Sequence, residues 1–460
     1  MARIDVSHPS KWKMGVAALT VLSLTLVAVA TSTAGAAQQK NLGHGVEAND
    51  VKVGIAIIDY DSIADFVDFA RGDQQKTAQI FVDYINKNGG VAGGRKIKPY
   101  FKTYEPIPGR TPDPLALCTA WTDDDGVFAV LGVFIDFTGQ GQLCLTKKHD
   151  TVHIGHELEQ PWIDQSPPGL LLTSDTTKEQ AAKTLLTLLI SSNKLKGKKV
   201  GLLADQNAED RLNKVVKPQL ADAKIKTGST AVLSITGTDT QAAQAQLDSF
   251  IEKWKSEGVD TVYIAGLTAS AKQFVEKIKE AMPKVQLIAD SDSVAEQAQD
   301  EVKAGKTPNP YEGILSTTGE TASERWANKS PLLQKCVDIY QKATNTTVPA
   351  PGTEPKNAKG KTIELATAVT DFCGELFMFK TIADKVGPNL TIKNWQNTVN
   401  KFGKIQLVPT RIASLCKGKY AADDAFRLVA FDSSAGTNGD WKPVTPIKDA
   451  SGGFCTKTAS

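Results

Sequence analysis

The sequence predicts an α/β protein of two Rossmann-like lobes, each carrying a parallel sheet. Three observations predict it. Apolar, β-branched runs such as VKVGIAII (51–58), FAVLGVFI (128–135), KKVGLLA (198–204) and VDTVYIAG (259–266) read as buried strands. Segments of helical period stand between them, and parallel strands need such helical crossovers. The alternation runs once, then begins again near residue 175, which makes two series and hence two lobes.

In the first series, residues 72–87 place Ala78, Phe81, Tyr84 and Ile85 at helical spacing, and KIKPYFKTY (96–104) alternates as a strand. Between them lies NKNGGVAGGRKIK (86–98), whose Gly89 and Gly94 have the spacing of a phosphate-binding loop. Such a loop leaves a strand and opens a helix. This one leaves a helix and opens a strand, and it carries Arg95 and Lys96 where Lys and Ser/Thr are needed. Its glycines therefore end the helix and make the turn. Leu115–Trp121 is helical, and 128–135 and 151–155 are strands.

The second series opens with a helix around TKEQAAKTLLTLLI, followed by strand 198–204 and a helix with Leu247, Phe250, Ile251 and Trp254 on one face. Strand 259–266, helix 269–281 and strand 285–290 follow, and TPNPYEGILSTTG (307–319) breaks the pattern. NTTVPAPGTEPKNAKGKT (345–362) lacks apolar periodicity and reads as a surface loop. A strong helix follows it, and the last 50 residues read as irregular.

A chain of 460 residues has room for two or three domains, and its 41% hydrophobic and 23% charged content is that of a globular protein. The net charge is +2, and Arg3, Lys11 and Lys13 against Asp5 account for it, so the rest is neutral and offers nothing to nucleic acid. Residues 1–36 read as an export signal: a basic start, the apolar run MGVAALTVLSLTLVAVA, then Ala34-Gly35-Ala36 as a cleavage site. The alternative is an uncleaved N-terminal membrane tether. Export makes disulfides the default for the six cysteines, and sequence proximity pairs Cys118–Cys144, Cys336–Cys373 and Cys416–Cys455. Free buried thiols are the alternative.

Candidate chemistry gathers where strands end. Asp59, Tyr60, Asp61 and Phe66 follow the first strand; Asp136, Phe137, Thr138 and Gly139 follow 128–135; Asp290, Ser291 and Asp292 follow 285–289. His156 and Glu157 follow 151–155. Acid, hydroxyl and aromatic groups at the C-terminal ends of strands on both lobes favour a polar ligand held between the lobes. His149, His153 and His156 could make a zinc site, but alternation along the strand points them apart, and no metal is expected. DDDG (123–126) lacks the later ligands of a calcium loop and reads as a turn. No nucleophile elbow or metalloprotease motif is present.

The run DYINKNGGVAGGRKIK, with VKVGIAI, DDDGVFAVLG, KKVGLLADQ, SEGVDTVYIAG, PYEGILST and the late helix 361–386, resembles the type I periplasmic binding proteins, close to the branched-chain amino acid receptors of ABC importers. The resemblance covers roughly 50–405. It implies two lobes closing on a hinge: lobe one at 48–172 and 318–400, lobe two at 173–317 and 401–445, with a tail at 446–460. It implies an extracytoplasmic receptor, periplasmic or secreted and monomeric. Such a receptor captures a small polar solute, amino-acid-like or another polar metabolite, and delivers it to a membrane permease, with no catalysis and no cofactor. By position, Phe66 matches the aromatic that packs on the ligand, and Thr138 and the segment His156–Leu158 fall in ligand-holding loops. Leu267, Thr268 and Asp290 to Asp292 match second-lobe contacts. The family's first loop, P-L-[ST]-G, is replaced by Asp59-Tyr60-Asp61-Ser62. Ser291 stands where its ammonium-binding carboxylate would be, and Ala208-Glu209 replace a Tyr-Gly. The extra acids argue for a cationic or hydroxyl-rich solute. A sensor on the same fold and a secreted hydrolase or metal-binding protein are the other readings.

Overall fold

The computed structural model describes residues 42–63, 69–106, 112–136, 138–234, 241–266, 271–290, 294–449 and Cys455. The export signal, Phe66, Phe137, Leu267, Thr268 and Asp292 lie outside them. Among the described residues no helix is long and apolar enough to cross a membrane.

The chain forms β1 (Asp50–Ile58), β2 (Phe69–Ala70), β3 (Lys96–Tyr104), β4 (Ala129–Gly132), β5 (Val152–Ile154) and β6 (Leu171–Leu172). Five of these make a sheet in the order β3-β1-β4-β5-β6, and every pair in it is parallel. Burial on both faces follows from the pleat. Val51, Val53, Ile55 and Ile57 enter one core cluster, with the helices Gln74–Lys87, Pro331–Thr344 and Leu365–Val386. Ala56 and Ile58 enter the opposite cluster with Trp121 and Phe134. Gly54 permits this, since a Cβ there would lie 2.8 Å from the Trp121 indole.

The second series forms β7 (Lys199–Asp205), β8 (Lys226–Leu233), β9 (Thr261–Ala265), β10 (Gln286–Ala289) and β11 (Leu315–Thr318). Later come β12 (Thr362–Ile363), β13 (Gly403–Lys404), β14 (Ser414–Leu415), β15 (Ala425–Asp432), β16 (Asp440–Pro443) and β17 (Lys448–Asp449). The second sheet runs β16-β15-β11-β10-β9-β7-β8, with β17 paired to β15. Strands β7 to β11 are parallel, whereas β15 and β16 add antiparallel. Val262 and Ile264 face one core and Tyr263 and Ala265 the other, the same two-sided burial.

Three expectations are corrected. The final residues are not irregular throughout: AFRLVAFD is a buried strand, because its run of apolar residues completes the second sheet beside β11. Strand β8 and the helical stretch before it follow β7 directly, where the sequence reading went straight to the next helix. Residues 402–422, read with the second lobe, contribute Phe402, Ile405, Leu407, Val408, Ala413, Leu415, Tyr420 and Ala422 to the core beneath the first sheet.

The glycine run is the expected helix-to-strand turn. Gly90 has φ 63°, and a Cβ there would lie 2.1 Å from the Arg95 carbonyl oxygen. Lys380 Nζ donates to Gly90 O at 2.6 Å and Ala92 N donates to Asp384 Oδ1 at 2.9 Å, so the turn docks on the long helix. All three disulfides join the cysteines paired by proximity: Cys118–Cys144, Cys336–Cys373 and Cys416–Cys455.

Between the sheets, the segment after β6 lies against the segment before β15. Thr173 N donates to Tyr420 O at 3.1 Å, Ala422 N to Thr173 O at 3.0 Å and Asp423 N to Asp175 O at 3.3 Å. Two crossing segments hydrogen-bonded side by side can twist together, which is what a hinge needs.

Candidate functional site

The C-terminal edge of the first sheet carries the first half of the site. After β1, the Asp59 carboxylate accepts from the amides of Asp61 and Ser62, at 3.0 and 3.3 Å, and so shapes its own turn. Half-buried Tyr60 lies 5.4 Å from the Phe69 ring, over which the Arg71 guanidinium sits at 4.9 Å. Arg71 Nη2 pairs with Glu364 at 3.2 Å, and Nη1 stands 3.8 Å from Asp371. After β4, buried Asp136 accepts from Thr138 N, Thr138 Oγ1 and Gly141 N at 2.9, 2.7 and 2.6 Å. It thereby holds exposed Thr138 and satisfies the Gly141 amide in the first turn of the short helix Gln140–Leu143.

After β5 comes the most charged point. His156 Nδ1 is 2.9 Å from Asp175 Oδ2 and its Nε2 is 2.5 Å from Glu375 Oε1. Glu375, 2% exposed, projects from the long helix and also accepts from the amide of Gly132. Gly132 has φ 94°, and a Cβ there would lie 2.5 Å from Ala56 O, so the strand end can meet the carboxylate only as glycine. Burial alone would push the His156 pKa down, but Glu375 and Asp175 raise it well above the usual imidazole value. Burial raises the Glu375 carboxyl, and His156 and the Gly132 amide oppose this. Burial also raises Asp371, which feels both His156 and Arg71. His156 is thus a half-buried imidazolium, and neighbouring Glu157 turns outward to Lys178 at 3.3 Å.

The second sheet brings Asp290 to its edge. The Asp290 Oδ2 is 2.9 Å from Arg211 Nε and its Oδ1 accepts from Gly266 N at 3.2 Å. Arg211, 5% exposed, also reaches Glu159 Oε1 of the first lobe at 3.9 Å. The two lobes therefore face one another through Arg211 and Glu159.

Of the residues singled out from sequence, Tyr60, Thr138, His156 and Glu157 stand at the edge of the first sheet and Asp290 at that of the second. Glu375, Asp175, Arg71, Arg211 and Glu159 were not singled out. Glu375 left a signal, being one acid in the apolar stretch CGELFMF of a buried helix, and a buried charge needs a partner. Arg211 left none. The zinc reading finds no convergent set: His149 faces Asp123 at 3.4 Å, while buried His153 bonds Val130 O at 3.0 Å. The sulfurs near His149 are those of the Cys118–Cys144 disulfide. Both His156 nitrogens are occupied by carboxylates, which leaves none to activate a nucleophile.

Two parallel-sheet lobes, hydrogen-bonded crossings and charged edges that face each other define a two-lobed binding protein. Residues 67–353 match the periplasmic binding protein family, and the chain belongs to it. That family consists of extracytoplasmic solute receptors, not enzymes. No curated protein matches the sequence. Among solved structures, the fold is similar to an ABC transporter substrate-binding protein from Desulfitobacterium hafniense in complex with Leu. That match has a TM-score of 0.58 and 16% identity, over 86% of this chain and 100% of that one. It is similar to a Rhodopseudomonas palustris solute-binding protein in complex with 4-hydroxybenzoate, with TM-score 0.62 and 14% identity over 87% and 98%. A fatty acid ABC transporter substrate-binding protein from Thermomonospora curvata matches at 0.60 and 15%, over 90% and 96%.

Proposed function

We propose that this protein, exported by residues 1–36, captures a small polar solute between its lobes and hands it to the membrane permease of an ABC importer, acting as a monomer. The observation that carries this reading is the pairing of charged edges: His156, Asp371 and Arg71 on the first sheet, Arg211 and Asp290 on the second, with Arg211 reaching Glu159. In this reading lobe one comprises 48–172 with 319–422, and lobe two 173–318 with 425–445. The proposed contacts are Tyr60, Phe66, Phe137, Thr138, Glu157, Leu267, Thr268 and Asp292, while His156 and Asp290 set the charge behind them. Carboxylates outnumber cations on the first edge, which favours a solute with a cationic or hydroxyl-rich group.

Two of the structures above hold leucine and 4-hydroxybenzoate, and the third is named for a fatty acid transporter, so kinship does not select among solutes. Thermal melting selects, using mature protein unfolded and refolded to strip bound solute. A solute at a hundred times its dissociation constant adds about 2.7 kcal/mol and moves the midpoint by a few degrees. A saturable shift with one class of amino acid, polyamine or sugar and no product formed supports the reading. A shift with zinc alone overturns it.

A further inference from the structure

The segment between the helix Pro331–Thr344 and β12 has no place in either sheet, yet both its ends are fastened to the first lobe. Val348, 4% exposed, sits in the first core and donates its amide to Gln341 Oε1 at 3.0 Å. At the other end β12 pairs in parallel with β2, Thr362 to Phe69 and Ile363 to Ala70, and Glu364 N donates to Ala70 O at 2.8 Å. Residues 355–363 fold back as a hairpin through Ile363 N to Pro355 O and Asn357 N to Lys361 O, both 2.8 Å. Lys359 Nζ meets Asp61 Oδ2 at 2.9 Å, at the end of β1.

The apex of the segment reaches the other lobe. Asn438, between β15 and β16, donates from Nδ2 to Gly352 O at 3.2 Å. That second-lobe loop is itself held, because Gln299 Nε2 donates to Gly439 O at 3.1 Å from the helix Val294–Lys303. The same helix ends in Lys303, which pairs with Asp300 at 3.0 Å. Glu354 braces the apex by accepting from Gly352 N at 2.6 Å. An element rooted on one lobe and bonded to the other constrains their separation.

We propose that residues 349–361 are a strap across one side of the cleft, latched to the second lobe by the Asn438–Gly352 hydrogen bond, so that it must release before the lobes part. The proposal rests on the reading of the chain as a hinged receptor. A loop of this kind costs little entropy to lengthen, and its gain comes only from the contacts it closes.

The test needs no solute, so its failure is distinct from failure of the receptor reading. Fluorescent residues placed at exposed Lys87 of the first lobe and Asp222 of the second report inter-lobe distance by energy transfer. Replacing Pro351–Glu354 with two glycines is expected to move the distribution to longer separations while the melting midpoint holds. Asn438→Ala, which removes the donor to Gly352 O, is expected to move it part of the way. The point variant keeps the test valid should the shortened chain fail to fold. A wild-type distribution in the shortened chain overturns the strap. A wild-type distribution in Asn438→Ala overturns the Gly352–Asn438 latch.

Discussion

His156 Nε2 lies 2.5 Å from Glu375 Oε1, which joins the edge of the first sheet to the helix Leu365–Val386. With Asp175 at 2.9 Å on the other nitrogen, the imidazolium ties lobe one to the crossing segment. Removing one partner of a buried pair strands the other.

His156→Leu is therefore expected to cost about 3–5 kcal/mol by denaturant melting, because Glu375 is left buried and unpaired. The pKa of His156 is raised on folding, so its contribution is complete below the unfolded value of 6.5 and is lost as pH rises through the folded value. The gap between wild type and His156→Gln should accordingly narrow at alkaline pH. A gap independent of pH counts against an imidazolium at His156.

Arg211 separates two roles. Arg211→Met strands Asp290, whose carboxyl burial already pushes up, and should destabilise the second lobe by about 3–5 kcal/mol. Glu159→Gln removes only a contact at 3.9 Å and should cost within about 1 kcal/mol. Equal losses from the two would make Glu159 the structural partner.

Asp423, in the crossing, is pushed up to about 7 by burial, with Asp175 and Asp424 adding to the rise and the Ala425 amide and Thr410 opposing it. A carboxyl raised on folding favours the folded state below its usual pKa, and that contribution is lost as pH climbs from 3.8 through 7. Asp423→Asn should therefore melt higher than wild type at pH about 8 and gain nothing at pH about 4. A gain at acid pH would reverse the sign and discard the account.

Cys336–Cys373 staples two helices of the first lobe across a separation of 37 residues. Replacing both by serine should cost about 2–5 kcal/mol in urea melts. A loss below about 1 kcal/mol would mean that packing of the helix Leu365–Val386 already restricts the unfolded chain.

The parallel strands were legible because burial on both faces writes continuous apolar runs, and β1 and β3 appear almost to the residue. Strand β15 was not, because it follows a stretch of turns and owes its burial to β11, more than a hundred residues earlier in the chain. The histidines were legible as a cluster and His156 as a strand-end residue, but only the fold sends His153 into the core and gives His156 its two carboxylates.

By itself, then, the sequence determined the two βα series, the glycine turn between helix and strand, and cysteine pairs close along the chain. Each depends on neighbours within a few turns, or on the short loops that proximity favours. Tertiary structure alone decided that Glu375 neutralises His156, that Arg211 holds Asp290, and that residues 349–361 reach Asn438. Charge partners are chosen by which elements pack together, and a local pattern of side chains carries no record of that choice.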